Sequence, residues 1–253
     1  MIYIFVKMNL TNEPNLNNFI SKDSIRRLIK DVSEIRKNPL TSSGIYYHHD
    51  EEDMLKGYAM IIGPHDTPYY RGYYLFEFIF PRDYPFSPPK LNYKTNGENI
   101  RFNPNLYVNE KVCISILNTW HGDQWSSCQT ISSILLTLCT VLNKNPLLNE
   151  PGVNPSHPEL EKYNEIIRFS NISIAICQMI DKELLPKFKL HFFPIVKNHF
   201  LENYENLIKD VDSFIEKNPT PNHIHTAFYN LNVEIDYVLL KEKIIKCKNK
   251  LYL

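Results

Sequence analysis

An α+β fold is predicted for this chain of 253 residues, with helices gathered before and after an antiparallel sheet. Three observations predict it. Ile25, Leu28, Ile29, Val32 and Ile35 recur at helical spacing near the start. Three β-rich runs follow, at Gly44 to His48, Leu55 to Ile62 and Tyr73 to Phe80, and apolar residues return to helical spacing beyond Ser126.

Taken in order, residues 1–20 are asparagine-rich, lack periodicity and are set apart as an N-terminal segment. Their apolar start, Ile2 to Val6, stops at Lys7 and Asn9, far short of a signal peptide or a membrane span. An intracellular protein is expected, in cytoplasm or nucleus. The first helix is read from Ser24 to Lys37, with Arg26, Arg27, Lys30 and Arg36 on its outer face. Solvation is the default role of such a stripe, and docking of a partner is the sharper one. Turn signals at Gly63-Pro64 and Arg71-Gly72 make the β-rich runs a meander. Lys90 to Thr95 supplies a fourth strand, after a stretch whose prolines 81, 85, 88 and 89 forbid continued pairing.

Ser126 with Gln129 reads as a capping box opening a central helix through Ile131, Ile134, Leu135, Leu138 and Leu142. A long helix is expected from about Glu159 to Leu185. Pro194, suited to a first helical position, is read as starting another, with Val196, Phe200, Tyr204, Leu207 and Val211 on one side. A last amphipathic helix runs from about Val233 to Lys248. The chain thus divides into residues 1–20, a main domain at 21–185, and a helical C-terminal extension at 186–253.

Composition narrows the function. Lys and Arg total 28 and Asp and Glu total 28, so no net field gathers nucleic acid or an anionic membrane. Five cysteines, 113, 128, 139, 177 and 247, form no close pair, which argues against a disulfide framework or a zinc knuckle; no metal is expected. Cys128, Cys139 and Cys177 fall in helical apolar patterns and read as packing.

The chemistry is written between Arg101 and Leu117, a stretch with neither helical nor strand period, where Asn105 stands eight residues before Cys113. Asn103-Pro104-Asn105, a short loop and a cysteine resemble the signature of the ubiquitin-conjugating enzymes, with asparagine in place of the usual histidine. The likeness continues through Gly63-Pro64, Thr67-Pro68, the run Phe80 to Lys90, and Gln124-Trp125-Ser126, all in the family's order. Among family members it is most similar to the large Z-type enzymes, which share Arg-Phe-Asn-Pro-Asn, Lys-Val-Cys, Thr119-Trp120 and Asn149-Glu150-Pro151-Gly152.

The resemblance implies the UBC fold and a catalytic domain at residues 21–185 that takes ubiquitin or a ubiquitin-like modifier from an activating enzyme as a thioester on Cys113. Transfer to a lysine of a protein substrate, or to a ligase, would follow. ATP is then used by the activating enzyme, and this chain needs no cofactor. Asn105 is implied as oxyanion donor or loop-ordering residue, and Glu150 as the group that orients the incoming lysine or accepts its proton. Pro85, Phe86, Ser126 and Ser127 fall where the family meets its ligases, Ser126-Ser127-Cys128 replacing the usual Ser-Pro-Ala, and Arg26, Arg27 and Lys30 join them as candidate partner-binding residues on the charge of the first helix.

Those residue types suit the reaction independently. With a pKa of about 8.5, a few per cent of a cysteine is thiolate at neutral pH, enough for exchange between thioesters. Attack by an amine builds an oxyanion that one fixed amide donor stabilises by about 3 kcal/mol. A non-catalytic, modifier-binding variant of the same fold is the alternative, and a cysteine hydrolase using His121 or His157 is a further rival. The extension is expected to pack on the main domain and steer partner choice, with little effect on the chemistry.

Overall fold

The computed structural model describes residues 20–181 and 186–252. Most of the N-terminal segment and the predicted end of the long helix at Leu185 therefore lie outside the described residues. Helix α1, Lys22–Lys37, starts earlier than its apolar period because Ser21 caps it, its hydroxyl accepting the Ser24 amide at 3.0 Å. Leu28, Val32 and Ile35 form its buried stripe.

Four strands follow in chain order as an antiparallel meander: β1, Ile45–His49; β2, Lys56–Ile62; β3, Tyr73–Ile79; and β4, Lys90–Tyr93. Tyr47 faces Ala59, which faces Phe76, and this row joins Phe78 and Tyr93 on the inner face. The alternate row, Tyr46, Met60 and Leu75 with His48 and Tyr58, points the other way. Nonetheless Met60 is 0% and Leu75 3% exposed. Strands covered on both faces read as continuous apolar runs, as Tyr58 to Ile62 and Tyr73 to Phe76 do.

The second cover comes from the extension. Helix α5, Pro186–Lys217, crosses the outer face: Phe188 meets Tyr58 edge-on at 5.2 Å, the Tyr73 hydroxyl donates to the Val196 carbonyl at 3.2 Å, and His191 stacks on His48 at 3.3 Å. Pro194 lies inside this helix and does not start it. An interior proline costs about 3 kcal/mol, but Phe188, Phe192, Val196 and Phe200 run through it at four-residue spacing and are all buried, which outweighs that cost.

Helix α2, Ile131–Val141, begins later than predicted. Its capping box is Thr130 with Ser133: the Ser133 amide donates to Thr130 Oγ1 at 3.2 Å and the Thr130 amide to Ser133 Oγ at 2.8 Å. Ser126 and Gln129 instead close a turn, with the Gln129 amide on the Ser126 carbonyl at 3.0 Å. Cys128 consequently stands exposed in that turn, whereas Cys177 and Cys247 are buried and Cys139 is half-buried. The expected long helix is α3, Leu160–Ser170, widening to a π-helical stretch at Asn171–Gln178 and ending in α4, Met179–Asp181.

The predicted last helix is corrected too. Before α6, Tyr237–Lys250, comes a hairpin of β5, Asn222–Thr226, and β6, Leu231–Ile235. Val233 and Ile235 thus belong to a strand whose buried ends alternate with exposed Asn232 and Glu234, a period of two in a segment too short to outvote the helical pattern after it. Asp236 then caps α6, accepting the Leu239 amide at 2.9 Å.

Candidate active site

The irregular stretch is held by its own amides. The Cys113 amide donates to the Asn105 carbonyl at 2.8 Å, and Asn105 Nδ2 donates back to the Cys113 carbonyl at 2.6 Å. Two bonds in opposite directions fix the cysteine's backbone against Asn105. Asn103, wholly buried, supports this pair: its Oδ1 accepts the Asn105 amide at 2.9 Å, and its Nδ2 reaches the Tyr69 hydroxyl at 2.8 Å and the Val141 carbonyl at 3.0 Å. Asparagine therefore both donates and accepts where the sequence pattern lacks its histidine.

Other residues complete the frame. Asn149 Nδ2 donates to Asn103 Oδ1 at 3.3 Å and to the Val141 carbonyl at 3.1 Å, bringing the segment after α2 onto the network. Thr119 Oγ1 accepts the Ile114 amide at 3.1 Å and lies within 3.2 Å of the Val112 carbonyl, so it straddles the cysteine. Arg101 donates to the Asn103 and Pro104 carbonyls at 3.2 and 2.6 Å and lies 3.4 Å over the Tyr107 ring. Motif reasoning missed these roles of Asn149, Thr119 and Arg101, although all three stand in the quoted runs.

A groove of about 250 Å³ opens beside this stretch, lined by Asn105, Ile114, Ser115, Trp120, Thr140 and Asn149 among others, with Cys113 next in sequence to Ile114. Cys113 itself is 1% exposed. Gly122, at φ +121°, turns the loop carrying Trp120 and His121 back toward Ser115; a Cβ there would lie 3.1 Å from Ser115 Cβ. His121 is an exposed loop residue.

Glu150 does not stand free beside this groove. Its Oε2 accepts the Tyr229 hydroxyl of the extension at 2.5 Å, and burial, then that carboxylate, push the Tyr229 hydroxyl well above its usual range. The candidate partner residues lie elsewhere. Arg27 turns inward, donating to Asp31 at 2.9 Å, to the Gln129 carbonyl at 2.5 Å and to the Ser127 carbonyl, with its guanidinium 5.7 Å from the Tyr84 ring. It is consumed in joining α1 to the turn before α2, so the docking role read for its charge does not fit its contacts. Arg26, paired with Asp23 at 3.5 Å, and Lys30 remain exposed on α1. Pro85 is buried and its carbonyl accepts Trp125 Nε1 at 2.7 Å, which sets Phe86, 73% exposed, near exposed Ser126 and Ser127.

Among the described residues no cluster of three or more His, Cys, Asp or Glu side chains could hold a metal, and no helix is long and apolar enough to cross a membrane.

The family described as ubiquitin-conjugating enzyme matches residues 27–181. Ubiquitin-conjugating enzyme E2 Z of Danio rerio is 41% identical over 192 residues, covering 75% of this chain and 57% of its own length. The Homo sapiens E2 Z is 42% identical over 182 residues, 71% of this chain and 50% of its own length. The probable ubiquitin-conjugating enzyme protein 17 of Caenorhabditis elegans is 34% identical over 231 residues, 85% of this chain and 30% of its own length. The chain spans between half and three-fifths of the E2 Z relatives it matches. Because the family match over residues 27–181 takes in the sheet, the two hydrogen bonds between Asn105 and Cys113, and the helices from α2 to α4, the chain belongs to the ubiquitin-conjugating enzyme family.

Proposed function

We propose that this chain accepts ubiquitin or a ubiquitin-like modifier from an activating enzyme as a thioester on Cys113 and passes it to a lysine of a protein substrate or to a ligase. The observation that carries the reading is the reciprocal bond between Asn105 and Cys113, built on an Asn-Pro-Asn turn in a member of this family. In the first step the Cys113 thiolate attacks the modifier's thioester carbonyl; a new S–C bond forms and the activating enzyme's thiolate leaves. In the second, an amine attacks the Cys113 thioester, the tetrahedral oxyanion collapses, the C–S bond breaks and the Cys113 thiolate leaves. The amine's extra proton goes to a base or to water.

Asn105 is the residue for loop order in this reading. One N–H of its amide holds the Cys113 carbonyl at 2.6 Å and so ties the loop to the cysteine, and the second N–H of the same amide is the donor an oxyanion would use. Glu150 enters through its hydrogen-bonded orientation, since Tyr229 occupies one of its oxygens. Exposed Phe86, Ser126 and Ser127 are the surface offered to a ligase, and Arg26 with Lys30 the surface offered to the activating enzyme.

The test is charging with activating enzyme, ATP and ubiquitin. A reductant-sensitive adduct is expected, converted by Cys113→Ser to a reductant-resistant oxyester. A thioester adduct surviving in Cys113→Ala would overturn the assignment, and no adduct on the wild type with any activating enzyme and modifier would favour the non-catalytic alternative.

A further inference from the structure

The hairpin loop between β5 and β6 reaches the segments that frame Cys113. Tyr229, at φ 59°, and Asn230, at φ 50°, both occupy the left-handed region, which an aromatic residue adopts only when its surroundings impose it. Those surroundings are specific. The Ala227 and Phe228 amides donate to the two oxygens of Glu159 at 2.9 and 3.3 Å, clipping the loop to the start of α3. The Glu159 carboxyl is held below its usual range by the Ala227 amide first, against burial, and then by Phe228. From that clip the Tyr229 ring lies 4.6 Å from the Arg101 guanidinium, on which Tyr107 also stacks, and 6.1 Å from the Tyr163 ring.

Arg101 is thereby pinned between two rings while it holds the carbonyls of Asn103 and Pro104. The Tyr229 hydroxyl meanwhile fixes Glu150, next in sequence to the Asn149 that donates to Asn103. One side chain of the extension thus touches Arg101, a support of the Asn-Pro-Asn turn, and Glu150, the chain neighbour of a second support, Asn149.

We infer that Tyr229 is a positioning residue for the Cys113 loop: it sets Arg101 and Glu150 so that the Asn103–Cys113 stretch keeps its geometry when an amine attacks. The effect on transfer rests on the proposed thioester chemistry, whereas the effect on the loop does not. The extension is therefore closer to the chemistry than the sequence alone indicated.

Two variants separate the contributions. Tyr229→Asn tolerates the left-handed backbone but removes the ring, and Tyr229→Phe keeps the ring on Arg101 but loses the bond to Glu150. In the full chain, amide hydrogen exchange should rise about tenfold or more at Asn105 and Cys113 in Tyr229→Asn, less in Tyr229→Phe, with β2 and β3 unchanged. In single-turnover discharge of preformed thioester to free lysine, the maximal rate should fall about 10- to 100-fold in Tyr229→Asn, with charging within about threefold, and Tyr229→Phe should recover most of the loss. Unchanged exchange at Asn105 and Cys113, or a rise spread evenly over the sheet, would overturn the inference whether or not the chain charges. Faster local exchange in a protein that never charges would leave the positioning role standing and sink the thioester reading instead.

Discussion

The network around Asn103 and the outer face of the sheet are both buried, yet they are built from opposite chemistry. At Asn103, Tyr69, Val141, Asn105 and Asn149 meet one amide through hydrogen bonds, each needing a donor or acceptor at one place. On the outer face Met60 and Leu75 are buried, and α5 meets the neighbouring Tyr58, His48 and Tyr73 largely through rings, with Phe188 edge-on to Tyr58. The first region is specified by chemical identity and the second by volume. A cavity in an apolar layer grows with the atoms removed, while a broken polar network leaves orphaned groups whatever shape replaces the missing side chain.

The largest effect should come from the apolar layer. Phe188→Ala should destabilise the full chain by about 3–5 kcal/mol in denaturant unfolding, because the ring is almost fully buried between Tyr58 and Phe192. Phe188→Leu keeps most of the volume and should cost only about 1–2 kcal/mol. Equal losses for the two would mean that ring geometry, and not filled space, holds α5 to the sheet.

At Asn103 the pair of substitutions should behave differently. Asn103→Ala and Asn103→Leu should each cost about 3 kcal/mol, since either leaves the Asn105 amide without its acceptor and takes one bond each from the Val141 carbonyl, the Tyr69 hydroxyl and Asn149 Nδ2. A mild Asn103→Leu beside a severe Asn103→Ala would place this site with the outer face, as a matter of filling. Thermal or chemical unfolding of both variants, read beside the Phe188 pair, decides it.

The same contrast explains what the sequence made legible. Identity-specified sites leave motifs, so Asn103, Asn105 and Cys113 could be picked out before any fold was known, and Asn149 and Arg101 stood in the same runs without their partners being visible. Volume-specified layers leave only periodicity. That sufficed for α1 and the meander, and it misplaced the start of α5, because Pro186 and Pro194 are equally good first residues and only the sheet beneath chooses between them. The turn at Ser126 imitated a capping box whose real members are Thr130 and Ser133. Tyr229 had no signal at all: its role depends on a left-handed backbone and on Glu159, 70 positions earlier, neither of which a local pattern encodes.

The two chemistries meet at Asp50, beyond the end of β1, and there the comparison can be titrated. Burial opposes ionisation of its carboxyl, but the Glu52 and Asp53 amides at 2.8 and 3.1 Å, the Tyr58 hydroxyl at 3.1 Å and Lys187 of α5 at 3.4 Å together lower its pKa from 3.8 to about 2. A carboxyl whose folded-state pKa is depressed adds stability that is complete above the unfolded value and is lost as pH falls through the folded one. The window is therefore from about 3.8 down to about 2, and the contribution is about 2 kcal/mol, smaller than the cost of Phe188→Ala or of either Asn103 substitution. Unfolding free energies measured across that window should fall with acid in the wild type and fall less steeply in Asp50→Asn, which keeps an acceptor for the two amides but has no charge for Lys187. Parallel slopes would mean that the ionisation of Asp50, and with it the ion pair to Lys187, is incidental to how the extension stays on the sheet.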